Sequence, residues 1–179
     1  MRLRCVFSIV MLLVLFAPAS SYSQVDSDSL SQSDYVSKDL EKEFSGFKNT
    51  SVKLRLPKHF KEFSNETLSG YMHTGTASSI VADEMNETPY ALTTDKITQD
   101  NIEGSGALLV SQEESKTYSG SPAKIYYMEF KVKNVDMIRI MFFTGSYNKT
   151  VLLQANYPKG FDKLLRNVIK ESFRTVKFD

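Results

Sequence analysis

Ile125-Tyr126-Tyr127-Met128-Glu129-Phe130-Lys131-Val132 and then Met137-Ile138-Arg139-Ile140-Met141-Phe142-Phe143 are the stretches whose reading decides the fold. In the first, Tyr126, Met128, Phe130 and Val132 alternate with Ile125, Tyr127, Glu129 and Lys131, the two-residue period of a strand. The second is apolar at every position except Arg139, the pattern of a central strand covered on both faces. Gly145-Ser146-Tyr147-Asn148 is a turn, and Thr150 to Asn156 returns as a third strand. Three consecutive antiparallel strands joined by short turns follow.

Working outward, Phe161, Leu164, Leu165, Val168, Ile169, Ser172 and Phe173 fall on one stripe of a helix, with Asp162, Lys163, Arg166 and Lys170 opposite. That helix must lie on the sheet, and the doubly apolar strands call for cover on the other side as well. Upstream, Val52, Leu54 and Leu56 alternate with Ser51, Lys53 and Arg55 until Pro57, which predicts a strand with one wet or functional face. Lys58 to Ser64 is expected to be a turn that plugs the core with Phe60 and Phe63. Strands are expected at Thr67 to His73 and Ser78 to Glu84, ended by Met85-Asn86-Glu87-Thr88-Pro89. One helix is expected between Tyr90 and Gly104, with Thr93, Thr94 and Asp95 as cap candidates. A further strand starts at Ala107 to Val110 and runs on into Ser111 to Glu114. The expected fold class is α+β: an antiparallel β-sheet with helices packed on both faces, an α/β/α sandwich.

The remaining 46 positions divide in two. Arg2 and Arg4 precede an apolar run from Val6 to Phe16, broken only by Ser8 and followed by small residues. This is the layout of a secretory signal over residues 1–23. The run is about half the ~20 residues that a membrane-spanning helix requires. Cleavage is expected after Ser23, with Ala19 as the alternative. Residues 24–46 form a polar acidic leader with six acids and two lysines. Within it Val36, Leu40, Phe44 and Phe47 suggest a short helix ended by Gly46, or a coil leading into the first strand. The globular domain is expected over residues 47–179, exported to the periplasm or secreted.

The only cysteine, Cys5, lies ahead of the apolar run, where a lipid-anchored cysteine would have to follow it. A chain cut after Ser23 therefore has no thiol, disulfide or lipid anchor, and its stability must come from core burial. Without Arg2 and Arg4 it carries 20 basic against 21 acidic residues, so it lacks the broad positive field that nucleic-acid binding requires.

Several of these residues, in order, resemble the PsbP-like superfamily, which includes PsbP, Mog and DcrB-type envelope proteins. They are Leu56-Pro57, Ala77-Ser78-Ser79-Ile80-Val81-Ala82 followed by Glu84 and Pro89-Tyr90, Asn101-Ile102 with Gly104, and Leu108-Leu109-Val110-Ser111-Gln112-Glu113-Glu114. Gly120-Ser121-Pro122-Ala123, Ala155-Asn156-Tyr157-Pro158 and Thr175-Val176-Lys177-Phe178 complete the set. The resemblance spans roughly residues 47–179. It implies an α/β/α sandwich whose members mostly bind other proteins, and it transfers no site, because a fold hosts many functions. The leader before Phe47 is not part of the shared pattern.

No chemistry-bearing motif stands out. His59 and His73 lack a third ligand at zinc-like spacing, although Asp83 or Glu84 could join them. Ser-x-x-Lys occurs at Ser45/Lys48, Ser121/Lys124 and Ser146/Lys149, all in turns or loops rather than at a helix start. Glu113-Glu114 and Asp83-Glu84 are strand neighbours pointing to opposite faces, unable to act on one substrate. Gly104-Ser105-Gly106 ends a helix instead of opening one, so it cannot cradle phosphate. Tyr118, Tyr126, Tyr127, Tyr147 and Tyr157 could form a stacking platform, or could bury their rings and keep their hydroxyls wet. Asn49, Asn65, Asn86 and Asn148 head glycosylation sequons that matter only in a eukaryotic secretory path.

No catalytic, cofactor or metal residue is expected, and the binding residues stay unassigned. The expected function is a non-enzymatic exported protein that binds another envelope or secreted protein, or serves envelope maintenance. The alternative is a small-ligand or lipid carrier with a cleft lined by Met137–Phe143 and Tyr126–Val132.

Overall fold

A computed structural model of the chain describes residues 38–64 and 69–178. A two-residue strand β1 (Ser45–Gly46) pairs with β2 (Lys53–Leu54), and the chain then enters a seven-stranded sheet. Its strands are β3 (Lys61–Ser64), β4 (Ser69–His73), β5 (Ser78–Asn86), β6 (Leu108–Lys116), β7 (Pro122–Val132), β8 (Val135–Gly145) and β9 (Lys149–Pro158). All neighbours are antiparallel, in the order β3-β4-β5-β9-β8-β7-β6. Two meanders are thus joined by a crossover that carries α1 (Tyr90–Asp95) and α2 (Gln99–Glu103). The second meander starts at the far edge and ends with β9 zipped to β5, from Ser79 opposite Asn156 to Asn86 opposite Lys149. A longer helix, α3 (Asp162–Arg174), follows directly.

Strand alternation sorts the side chains into two clusters. Ile125 and Tyr127 of β7, Ile138, Ile140 and Phe142 of β8, and Val151, Leu153 and Ala155 of β9 meet Leu165, Val168, Ile169 and Phe173 of α3. Phe142 and Phe173 make an edge contact at 5.9 Å and are both fully buried, each contributing roughly 2–3 kcal/mol by burial. The intervening residues Tyr126, Met128, Met141, Phe143 and Leu152 form the second cluster, with Ile102 of α2 and Ala107. Tyr90 and Ile97 pack on its margin.

Helix α3 opens with Asp162, which accepts from Tyr157 Oη at 2.8 Å and pairs with Arg166 one turn on at 2.7 Å. It ends with Arg174, so each end carries the charge that favours the helix dipole.

The structure differs from the sequence expectation at five points. The expected single helix of residues 90–103 is two, because Lys96 and Ile97 leave the helix and Thr98 starts a second one, its Oγ1 accepting from Asn101 N at 3.3 Å. Pro89 and Thr98 cap these helices in place of Thr93, Thr94 and Asp95. The helix suggested for Val36 to Phe47 is absent from its described part: Leu40 bridges Pro57, and Ser45–Gly46 is strand. The alternative reading, coil leading into a strand, is the one adopted there, and residues 34–37 lie outside the described residues. Finally, Lys61–Ser64 is an edge strand in place of a turn, and β6 is longer than expected, with a bulge between Leu109 and Ser111. The signal region and most of the leader lie outside the described residues.

Candidate functional site

Residues 38–57 form a strap over the α3 face of the sheet. Val52, Leu54 and Leu56 point inward and are buried, whereas Lys53 and Arg55 point out. Three sets of bonds fasten it. Lys53 N donates to Lys177 O at 2.9 Å, and Lys177 N returns a bond to Lys53 O at 2.8 Å. Arg55 N donates to Thr175 Oγ1 at 2.8 Å, and Ser172 Oγ donates to Arg55 O at 2.6 Å. Glu84 on β5 holds the neighbouring turn, accepting from Ser51 N at 2.8 Å and Ser51 Oγ at 2.7 Å. Lys149 Nζ sits 3.0 Å from the other oxygen of Glu84. Burial works to raise the Glu84 pKa, but the bonds from Ser51 and the charge of Lys149 outweigh it and bring it down to about 2.

Where the strap meets the end of α3, an open groove of about 530 Å³ remains. Leu40, Phe44, Arg55, Tyr118, Val176 and Lys177 line it, with Ser119 and Thr175. Two cations attend one ring: the Arg55 guanidinium lies 5.0 Å and the Lys177 ammonium 4.2 Å from the Phe44 centroid. On the opposite wall Arg174 lies 4.7 Å from the Tyr118 centroid. The Tyr118 hydroxyl bonds to Glu171, which also pairs with Arg174 at 3.0 Å. The bond to Glu171, then burial, raises the Tyr118 pKa. Tyr118 is nonetheless 62% exposed, one of the few large apolar rings offered to solvent.

The other sequence candidates are dispersed. His59 is exposed in a turn at positive φ, while His73 is buried, its Nδ1 2.9 Å from Thr76 Oγ1 and its ring against Phe60. Among the described residues no group of three or more His, Cys, Asp or Glu side chains is placed to hold a metal. Ser146 bonds Asn148 and Lys149 turns to Glu84; Lys124 pairs with Glu114 at 3.7 Å; Ser45 lies in β1. Glu113 and Glu114 diverge as their strand positions require: the first bonds Tyr127 Oη at 2.6 Å and Lys170 at 2.8 Å. Asp83 instead caps the backbone N–H of Glu84. Gly104–Gly106 is a turn after α2. The tyrosines do not make one platform. Tyr126, Tyr127 and Tyr157 are buried with bonded hydroxyls, while Tyr118 and Tyr147 are exposed. Asn49, Asn86 and Asn148 occupy exposed turn or strand-end positions.

Arg139, the odd residue of the central strand, is 2% exposed. Its Nε donates to Asn156 Oδ1 at 2.8 Å, its guanidinium lies 4.6 Å from the Phe130 centroid, and burial lowers its pKa to about 10.

The fold and the groove define an α+β protein built on a seven-stranded antiparallel sheet, with an aromatic and basic groove beside its final helix. That fold is PsbP-like. The cyanobacterial PsbP (CyanoP) of Synechocystis sp. PCC 6803 shares it at 7% identity, over 91% of this chain and 100% of that one, with a TM-score of 0.57. LpqN of Mycobacterium tuberculosis, a protein involved in cell envelope biogenesis, is 12% identical over 83% of this chain and 96% of its own, with a TM-score of 0.50. No protein-family model matches the chain, and no curated protein matches it in sequence. Among the described residues no helix is long and apolar enough to cross a membrane.

Proposed function

We propose that this chain is an exported, non-enzymatic envelope protein that binds a protein partner through the groove between strap and helix α3. The carrying observation is the groove itself, where aromatic rings and unneutralised cations stand open on an otherwise well-packed domain. The secretory layout of residues 1–23 supports export, and the likeness in fold to LpqN is in keeping with an envelope role. The same reading takes the domain as a three-layer sandwich, α3 on one face and the short α1 and α2 on the other. The carrier alternative has less support: its expected lining, including Tyr126, Met141 and Phe143, is packed side chain against side chain.

Site-specific photocrosslinking in the native envelope fraction tests the proposal. A photoreactive residue at Ser119, on the groove wall, should give a discrete polypeptide adduct that the same residue at exposed Lys133 does not. Equal adducts from both positions, or none from either, would refute it.

A further inference from the structure

Resting on that reading, we infer that the groove recognises an acidic peptide segment carrying an apolar side chain. Three cations define the chemistry. Lys53 and Arg55 lie two residues apart on one face of the strap, and Lys177 stands directly opposite Lys53 across the backbone bridge. Like charges facing each other across a ladder destabilise it. Among the described residues none of the three has a carboxylate in ion-pair range; scattered surface lysines share that, but these three stand together beside one groove. A site for anions therefore stands where the fold itself supplies none. Between these cations the floor is apolar, with Leu40, Phe44 and Val176, and one wall is the exposed ring of Tyr118.

The combination selects among anions. An anionic membrane is flat and cannot follow a concave groove. A peptide can enter it, lay carboxylates on Arg55, Lys53 and Lys177, and seat an apolar side chain on the floor. The volume suits a few side chains.

The chain contains no tryptophan, so one tryptophan in a probe peptide reports binding by fluorescence. The blocked peptide Asp-Glu-Trp-Asp-Glu should bind the chain cut after Ser23 saturably, and Lys-Arg-Trp-Lys-Arg should not. Arg55→Gln and Lys177→Gln should each weaken binding roughly fivefold, and Phe44→Ala more, while the distant exposed Lys131→Gln leaves it unchanged. Raising salt tenfold should weaken it by about an order of magnitude.

The inference is overturned if both peptides bind alike, if the acidic one fails to saturate, or if Arg55→Gln and Lys177→Gln match Lys131→Gln. Tighter binding to phosphatidylglycerol vesicles would assign the groove to a membrane. A dimer that Arg55→Gln dissociates would assign it to a second copy. Peptide affinity that rises tenfold when Asp26, Asp28 and Asp34 are changed to Asn would assign it to the chain's own leader. A failed peptide titration beside a retained adduct at position 119 would end this inference and leave the partner-binding reading standing. Failure of both would end both.

Discussion

Replacing Glu84 by Gln tests how the strap is held, because this substitution keeps the shape of the side chain and removes its charge. The carboxylate accepts two bonds from Ser51 and one ion pair from Lys149 at 3.0 Å, with side-chain exposures of 9% for Glu84 and 19% for Lys149. A carboxyl group whose pKa falls from 4.5 to about 2 on folding would contribute ~3 kcal/mol if fully shielded from water. At the rim of the sheet, screening reduces this to about 1–2 kcal/mol. Since the folded pKa is the lower one, the contribution is complete above about pH 4.5 and is lost as the pH falls toward 2. Urea unfolding followed by circular dichroism should thus place Glu84→Gln about 1–2 kcal/mol below wild type at pH 7, with the gap shrinking to roughly a quarter of that at pH 2.5. Other carboxylates titrate over the same range, but they do so in both proteins and cancel in the difference. Amide exchange should quicken at Lys53 and Lys177, whose backbone bonds close the strap. A gap of equal size at both pH values would refute the reasoning, because it would assign the loss to shape. No gap at pH 7 would refute it too.

Gly145 ends β8 at φ +154°, and a Cβ there would lie 2.1 Å from the Lys149 carbonyl oxygen. Gly145→Ala should therefore cost about 2–4 kcal/mol and lower the thermal midpoint; an unchanged midpoint would show that the β8–β9 turn relaxes freely. Burial, with bonds to Glu113 and Asp162 for two of them, holds the Tyr126, Tyr127 and Tyr157 phenols well above the usual 10. Stability should drain as pH rises past 10, where only the unfolded state sheds these protons, and ultraviolet titration should show the three phenolates appearing with unfolding. Ionisation of every tyrosine in a protein with native circular dichroism would overturn that.

The second meander and α3 were legible because their patterns are strong and local: β7 alternates, β8 is apolar on both faces apart from Arg139 as a doubly covered strand must be, and Leu165, Val168, Ile169 and Phe173 recur on one helical stripe. The pattern also marked Lys53 and Arg55 as a face apart from the core, and they line or flank the groove. What it could not show was the partner of that face. Phe44, Arg55, Tyr118 and Lys177 come from three segments far apart in the chain, so no local spacing announces them. Glu84 looked like half of an acidic pair, yet its role is set by Ser51, 33 residues earlier, and by Lys149 on the next strand. The crossover was misread for a different reason. Its apolar residues thin out to Leu92, Ile97 and Ile102, too sparse to mark where one helix stops and the next starts, and Thr93 and Thr94 turn their hydroxyls back onto Pro89, Tyr90 and Ala91 carbonyls where the first helix closes.

The way the strap is tied bears on what its cations are for. Both backbone polar groups of Arg55 are taken by hydroxyls of Ser172 and Thr175, and both of Lys53 by Lys177. Those hydroxyl residues are buried at the end of α3, where an apolar side chain would serve the core equally well. Their effect is to fix the main chain at the positions where unneutralised side chains leave it. A side chain that starts from a fixed main chain loses less freedom when it meets a ligand, so the cost of ordering falls on folding and less of it on binding. A lid that must open would instead show its weakest bonds at this point. The strap has its densest bonds there, and the Glu84 clamp adds a second fixed point at Ser51. The groove is therefore better understood as a preorganised surface, with its charge set by the strap and its floor by Phe44 and Val176.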